Sequence, residues 1–252
     1  MTELEGIRVL ITGATSGLGA AMAAALAAAG ARVMVTGRDA ARAAMAAEAL
    51  GPSAISSPLD VRNEQSVSAC VARATQVWGG VDMLVNNAGI GMRTVNPRFL
   101  SEPQSFWEVT PAGFRDVMET KVVGCFLMAR AVVPLMLRQG RGRVINISMN
   151  EETMIRRGFV PYGPAGAGVE ALSRIMAADL AGSPVTVNTL LPGGRGTRTG
   201  MVPENVPDDV RARLLDPSVM GPPIVWLASD QAGGVHNRRI VAADFDPDQV
   251  HP

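Results

Sequence analysis

The sequence predicts a single doubly wound α/β domain whose parallel sheet has about seven strands. Apolar, β-type runs alternate with helical stretches along the whole chain, and the connections between them are short. The 252 residues are enough for one sizeable core, and no composition shift or low-complexity linker marks a second unit, so residues 1–252 are read as one domain. Such alternation implies right-handed crossovers and a sheet covered on both faces.

Taken in order, residues 8–12 read as a buried strand and residues 20–29, almost all alanine, as a helix. Between them lies Thr12-Gly-Ala-Thr-Ser-Gly-Leu-Gly19. Gly13, Gly17 and Gly19 sit where the chain must turn tightly, let a ligand approach and pack the helix on the strand. The free amides at that helix start face an anion, most simply a pyrophosphate. Residues 32–36 form a second strand ending at Gly37-Arg38-Asp39, and helix follows to residue 50. A weaker strand at 54–59 leads into a helix reaching residue 78, and a strand at 81–85 stops at Asn86-Asn-Ala-Gly89. Residues 91–110, with Pro97, Pro103, Phe106 and Trp107, are irregular, either a rim or lid near the strand ends or a surface excursion with aromatic anchors. The longest helix is expected over 111–138, then strand 143–147, helix 162–180 and strand 185–190. A loop over 192–220, a short helix at 224–228 and a strand at 239–242 complete the chain.

Basic and acidic residues balance, 23 against 23, which argues against a nucleic-acid footprint or a polybasic membrane patch. The start of the chain is polar and acidic, unlike a secretion signal, and the run at 20–29 is too short to span a bilayer. A cytoplasmic protein is expected. Cys70 and Cys125 lie in helix-like segments and suit reduced, buried thiols. His236 and His251 have no carboxylate or cysteine at ligand spacing, so no metal site is expected.

The ordered set Thr12-Gly-Ala-Thr-Ser-Gly-Leu-Gly19, Asp60-Val61, Asn86-Asn-Ala-Gly89, Asn146-Ile-Ser148, Tyr162 and Pro192-Gly193 resembles the short-chain dehydrogenase/reductase family over nearly the whole chain. The resemblance implies a Rossmann-type fold and a bound nicotinamide dinucleotide. It places Gly13, Ser16, Gly17, Leu18 and Gly19 at the pyrophosphate, Asp60 and Val61 against the adenine, Asn87, Ala88 and Gly89 on the ribose side, and Gly193 and Thr197 on the nicotinamide side. Members that prefer NAD(H) usually end the second strand with an acid; Gly37 occupies that place, and Arg38 after it suits the 2′-phosphate of NADP(H). The alternative is an exposed arginine paired with Asp39. A homodimer or homotetramer is implied by the resemblance alone.

The family's catalytic set is altered. Its tyrosine corresponds to Tyr162, which also borders the cofactor, but the lysine four residues on is Gly166, the usual serine position is Met149, and the asparagine on the long helix is Lys121. Ser148, one step from Met149, points to the opposite face on an extended strand, so the serine role stays open among Ser148, Asn150 and Thr153. Lys121 falls on an apolar stripe with Phe114, Val117, Met118, Cys125, Met128 and Val132 and is expected to face inward. A buried ammonium needs a polar partner or a route to an edge. One reading has it approach Tyr162 from the neighbouring helix, partly filling the space left by the lysine absent at Gly166. The other has it simply disrupt the site or reach solvent.

Three functions remain open. The first is an NADP(H)-dependent oxidoreductase interconverting a small-molecule carbonyl and alcohol, with Tyr162, Lys121 and Ser148 as its chemical groups. The second is a cofactor-binding scaffold with impaired catalysis, and the third a non-redox lyase or isomerase. Phe99, Phe106, Trp107, Met154, Phe159 and Met201 are expected either at an apolar pocket rim or in packing.

Overall fold

The computed structural model describes residues 3–194, 196–203 and 206–250. Seven strands form one parallel sheet in the order β3-β2-β1-β4-β5-β6-β7. They are β1 (Arg8–Ile11), β2 (Arg32–Gly37), β3 (Ala54–Pro58), β4 (Met83–Asn86), β5 (Gly142–Ile147), β6 (Val185–Leu191) and β7 (Arg239–Val241). The order reverses between β1 and β4. Connections leave those two strands in opposite directions, which opens a crevice at their carboxyl ends.

Helices cover both faces. On one side lie α1 (Gly17–Ala28) and α9 (Gly221–Ala228); their alanines and small residues bring them close to the sheet around Val9, Ile11 and Val33. On the other side, α3 (Glu64–Trp78) and the long helix bury Leu10, Leu84 and Val144. Two completely buried faces explain why β1, β2 and β4 read as continuous apolar runs. Helix α2 (Ala40–Glu48) is capped by Asp39, whose carboxylate accepts from the Arg42 amide. That cap occupies the acid that was a candidate partner for Arg38.

The long helix departs from expectation in the middle. It runs as α4 (Pro111–Met118), a π-helical turn at Glu119–Val123, and α5 (Gly124–Gln139). Lys121 sits in the π turn and is buried, as the stripe requires, whereas Phe114 is turned outward. The extra residue per turn resets the register between the two α segments, and such turns often mark functional positions. The helix is long and apolar enough by length and composition to cross a bilayer. Its inner face instead packs on α3, β5 and α7 (Tyr162–Asp179).

The two irregular stretches hold brief helical pieces. Residues 91–110 contain short 3-10 turns at Met92–Thr94 and Phe106–Glu108, and the 192–220 stretch contains α8 (Asp208–Ala212) and a 3-10 turn at Pro217–Met220. A further short helix, α6 (Glu151–Met154), follows β5. Each is brief and depends on neighbouring segments, so local periodicity carried little trace of it.

Candidate active site

The crevice begins where β1 turns into α1. Gly13 has a φ of 64°, and a Cβ there would lie 3.0 Å from the Ala88 Cα. At Gly19 a Cβ would overlap both the Gly13 carbonyl oxygen and the Asn87 side-chain amide. The Asn87 amide donates to the Thr12 and Gly13 carbonyls, each at 2.9 Å, while the backbone amides of Asn87 and Ala88 donate to the Thr12 hydroxyl. The strand end at Asn87 thus braces the glycine turn. Ser16 opens α1 without using its side chain as a cap, so the first amides of the helix remain available to an anion.

From this turn a cleft of about 360 Å³ runs across the carboxyl ends of the strands. Gly13, Ser16, Gly17 and Leu18 line one end, Asn87 and Gly89 the middle. Lys121, Ser148, Tyr162, Gly193 and Thr197 line the other. The size is within the range of small-molecule sites. Glycine backbone, a helix start and an elongated cleft fit a dinucleotide. Gly19 and Ala88 act from behind the lining by letting α1 and the β4 end approach.

Arg38 and Asp60 lie outside the cleft lining. Arg38 is exposed, and Asp60 forms an ion pair with Arg62 at 2.7 Å. The Arg62 hydrogen bond is the largest influence holding the Asp60 carboxyl below its ordinary range, and Arg38 adds a smaller electrostatic contribution. Val61 is buried against Gly124, where a Cβ would meet the valine Cγ2 at 2.6 Å. Gly37 has its own packing reason: a Cβ there would lie 2.8 Å from the Thr15 methyl.

At the far end of the cleft, the Lys121 Nζ stands over the Tyr162 ring, 5.1 Å from its centroid. Lys121 packs along Gly89, and it has no hydrogen bond or ion pair among the described residues. Burial lowers its pKa from the ordinary lysine value to about 8, with a smaller opposing influence from Cys125. Burial also pushes the Tyr162 phenol up and the Cys125 thiol up to about 12. Beside Lys121, the Asn86 Oδ1 is a buried acceptor without a partner among the described residues, and Asn86 borders a cavity of about 10 Å³. That is about the space of one water.

The space left at Gly166 is filled by Met149. A Cβ on Gly166 would lie 2.7 Å from the Met149 Cε and 2.8 Å from its Sδ. The Met149 thioether lies where the first atoms of a side chain at Gly166 would stand, while Lys121 approaches Tyr162 from the neighbouring helix, over the face of its ring.

Of the three candidates for the serine role, Ser148 donates its one proton to the Glu170 carboxylate at 2.7 Å. The same Glu170 oxygen accepts from Arg239 at 2.9 Å, and Arg239 also donates to the Met149 carbonyl. Ser148 can accept a hydrogen bond in this arrangement but has no proton to offer the cleft. Asn150 donates to the Gly194 carbonyl. Thr153 lines the cleft, and its hydroxyl has no hydrogen bond among the described residues. Sequence reasoning missed Glu170 and Arg239 because they come from α7 and β7, 22 and 91 residues from Ser148. It also missed a compositional signal: Lys121 is the only lysine and Tyr162 the only tyrosine in the chain.

Phe99, Phe159 and Met201 line the cleft, as expected of rim residues. Phe106 and Trp107 do not: both are exposed and pack edge-to-face on each other. Met154 is outside the cleft lining. Cys70 and Cys125 are free buried thiols. The His236 ring accepts from the Val187 amide and bonds the Ala177 carbonyl, a structural role; His251 lies outside the described residues.

A parallel sheet with its crevice between β1 and β4, a glycine turn feeding a helix start, and a tyrosine at the far end of the cleft define a dinucleotide-binding oxidoreductase class. The chain belongs to the short-chain dehydrogenase/reductase family, whose model, described as short chain dehydrogenase, matches residues 8–209. It is 35% identical over 240 residues to the 3-oxoacyl-[acyl-carrier-protein] reductase FabG of Vibrio cholerae, covering 91% of this chain and 93% of that one. It is 34% identical over 194 residues to gluconate 5-dehydrogenase of Gluconobacter oxydans, covering 76% and 72%. The 3-ketoacyl-(acyl-carrier-protein) reductase of Brucella melitensis, solved in complex with NADH, superposes with a TM-score of 0.83 at 30% identity, over 94% of this chain and 97% of that one.

Proposed function

We propose that this protein is an NADP(H)-dependent oxidoreductase that interconverts a small-molecule carbonyl and its alcohol. The observation that carries the reading is the Lys121 ammonium over the Tyr162 ring, at the end of a cleft that starts at the glycine turn. A bound nicotinamide would supply the hydride. Tyr162, kept protonated at neutral pH by burial, gives its proton to the oxygen that becomes the alcohol. The nearby Lys121 cation acts in the opposite sense to burial, stabilising the phenolate left behind. Thr153 is the hydroxyl free to donate to the carbonyl oxygen, while Ser148 is positioned to accept from an alcohol.

The preference for NADP(H) over NAD(H) rests on Arg38 following a residue that has no acid to offer the ribose. Exposed Val123 and Phe126 near the π turn and Ile175 on α7 support a homodimer or homotetramer built on these helices. A cytoplasmic location accords with the balanced charge.

Single-turnover oxidation of NADPH with a panel of ketones and aldehydes tests the reading, with Tyr162→Phe as the control. Hydride transfer lost in the variant supports it. A second reading, a cofactor-binding scaffold, is favoured by the Met149 side chain packed against Gly166, where the family has its lysine, and tight NADPH binding with no transfer to any carbonyl would select it.

A further inference from the structure

Of the 23 lysine and arginine residues in this chain, all but one are arginine. The exception, Lys121, is buried in the π turn and lines the cleft. If only positive charge were needed beside Tyr162, arginine would supply it with a more weakly hydrated group. What lysine alone adds is an amine that can lose its proton and act as a nucleophile.

We propose that Lys121 is a covalent amine site, whose Nζ condenses reversibly with an aldehyde or unhindered ketone admitted to the cleft. The Nζ lone pair attacks the carbonyl carbon, and the proton released by nitrogen passes to the former carbonyl oxygen. Tyr162 protonates the carbinolamine oxygen, which leaves as water to form the C=N bond, and the remaining N–H proton returns to the phenolate; hydrolysis reverses the sequence. No oxidant or reductant is consumed.

Five features of the site favour this chemistry. The amine is not tied up by any hydrogen bond or ion pair among the described residues. The groups that titrate against it are Cys125, one turn further along the helix, and Tyr162 on α7; both thiol and phenol are held neutral by burial, so neither anchors the ammonium. Burial itself favours the free amine. The Tyr162 ring lies under the nitrogen, and its hydroxyl, held only by a weak bond to the Met201 Sδ at 3.8 Å, keeps a proton for the departing oxygen. The apolar groups Phe99, Phe159 and Met201 would seat the carbon portion of the ligand.

The site does not depend on the hydride-transfer reading, because condensation requires no nicotinamide. It would take carbonyl compounds small enough for a cleft of about 360 Å³.

Benzaldehyde and sodium borohydride, added to the whole protein without cofactor, test the proposal. Borohydride reduces the imine to a stable benzylamine, read by intact mass and by peptide mapping. The expected result is one benzyl group on Lys121, installed more than about tenfold faster than on a free lysine derivative at the same pH, because burial keeps more of the amine neutral. Lys121→Arg, which keeps the charge, should lose the adduct. Since the chain has no other lysine, mapping of the unmutated protein assigns the site even if the variant folds poorly. Labelling confined to the α-amine, or at Lys121 no faster than the free derivative, would overturn the proposal. NADPH turnover with unmodified Lys121 and no trapping would overturn it while leaving the oxidoreductase reading standing.

Discussion

The only lysine and the only tyrosine of the chain meet in one place: the Lys121 Nζ lies 5.1 Å from the centroid of the Tyr162 ring. The pair joins a π turn of the long helix to the first residue of α7. An aromatic face partly compensates the buried cation, by about 1 kcal/mol.

That compensation is incomplete, so Lys121→Met should stabilise the fold at neutral pH. A lysine whose pKa drops from its ordinary value to about 8 on folding carries a desolvation cost of about 3 kcal/mol, reduced by the ring to about 2 kcal/mol net. Below about pH 8 both folded and unfolded states are protonated, and the full cost is present. Between pH 8 and the ordinary lysine value the unfolded state holds the extra proton, so stability rises with pH. Urea melts across this window should show the variant's advantage shrinking as pH rises.

Removal of the Tyr162 hydroxyl should separate chemistry from binding. Tyr162→Phe is expected to lower NADPH-linked turnover about 100-fold or more with little change in cofactor affinity. Thr153→Val should cost more activity in the reduction direction than Ser148→Ala, because the Ser148 proton is already given to Glu170. Initial rates in both directions and NADPH fluorescence titration check these outcomes.

Gly166 and Met149 should behave as a coupled pair. Gly166→Lys alone forces a Cβ onto the Met149 thioether and is expected to destabilise by about 1–3 kcal/mol. Adding Met149→Ser should recover much of that loss and raise carbonyl reduction, where either change alone does not. A double-mutant cycle of melts and rates measures the coupling.

Cofactor choice can be redirected at the end of β2. Arg38→Asp should shift the ratio of kcat/KM for NADPH over NADH by about tenfold or more towards NADH, since a carboxylate repels the 2′-phosphate. Steady-state kinetics with both cofactors reads this directly.

The far end of the sheet carries a stability prediction. Asp82 is buried between Arg8 at 2.6 Å and Arg141 at 2.8 Å. Burial alone would raise its carboxyl, but the Arg8 hydrogen bonds and charge outweigh that and hold it below its ordinary range. Asp82→Asn should cost about 3 kcal/mol at neutral pH. The carboxylate's contribution is present above its unfolded pKa and is lost as pH falls through the lower folded one. The difference between wild type and variant should therefore narrow in acid melts.

The order of elements, the parallel sheet and the glycine turn were legible in the sequence because they rest on local patterns: apolar runs where two faces are covered, alanine where helices form, and glycine where a Cβ would collide. Lys121 was legible as an inward-facing residue from its place on an apolar stripe. Its approach to Tyr162 was one of two readings, and the π turn, which resets the register within the helix, was not legible. Only the tertiary structure set Lys121 over Tyr162, put Met149 against Gly166 and committed Ser148 to Glu170 and Arg239. Those decisions depend on which side chain first fills a shared volume or captures a proton between elements distant in the chain, and no spacing along one strand or helix encodes that.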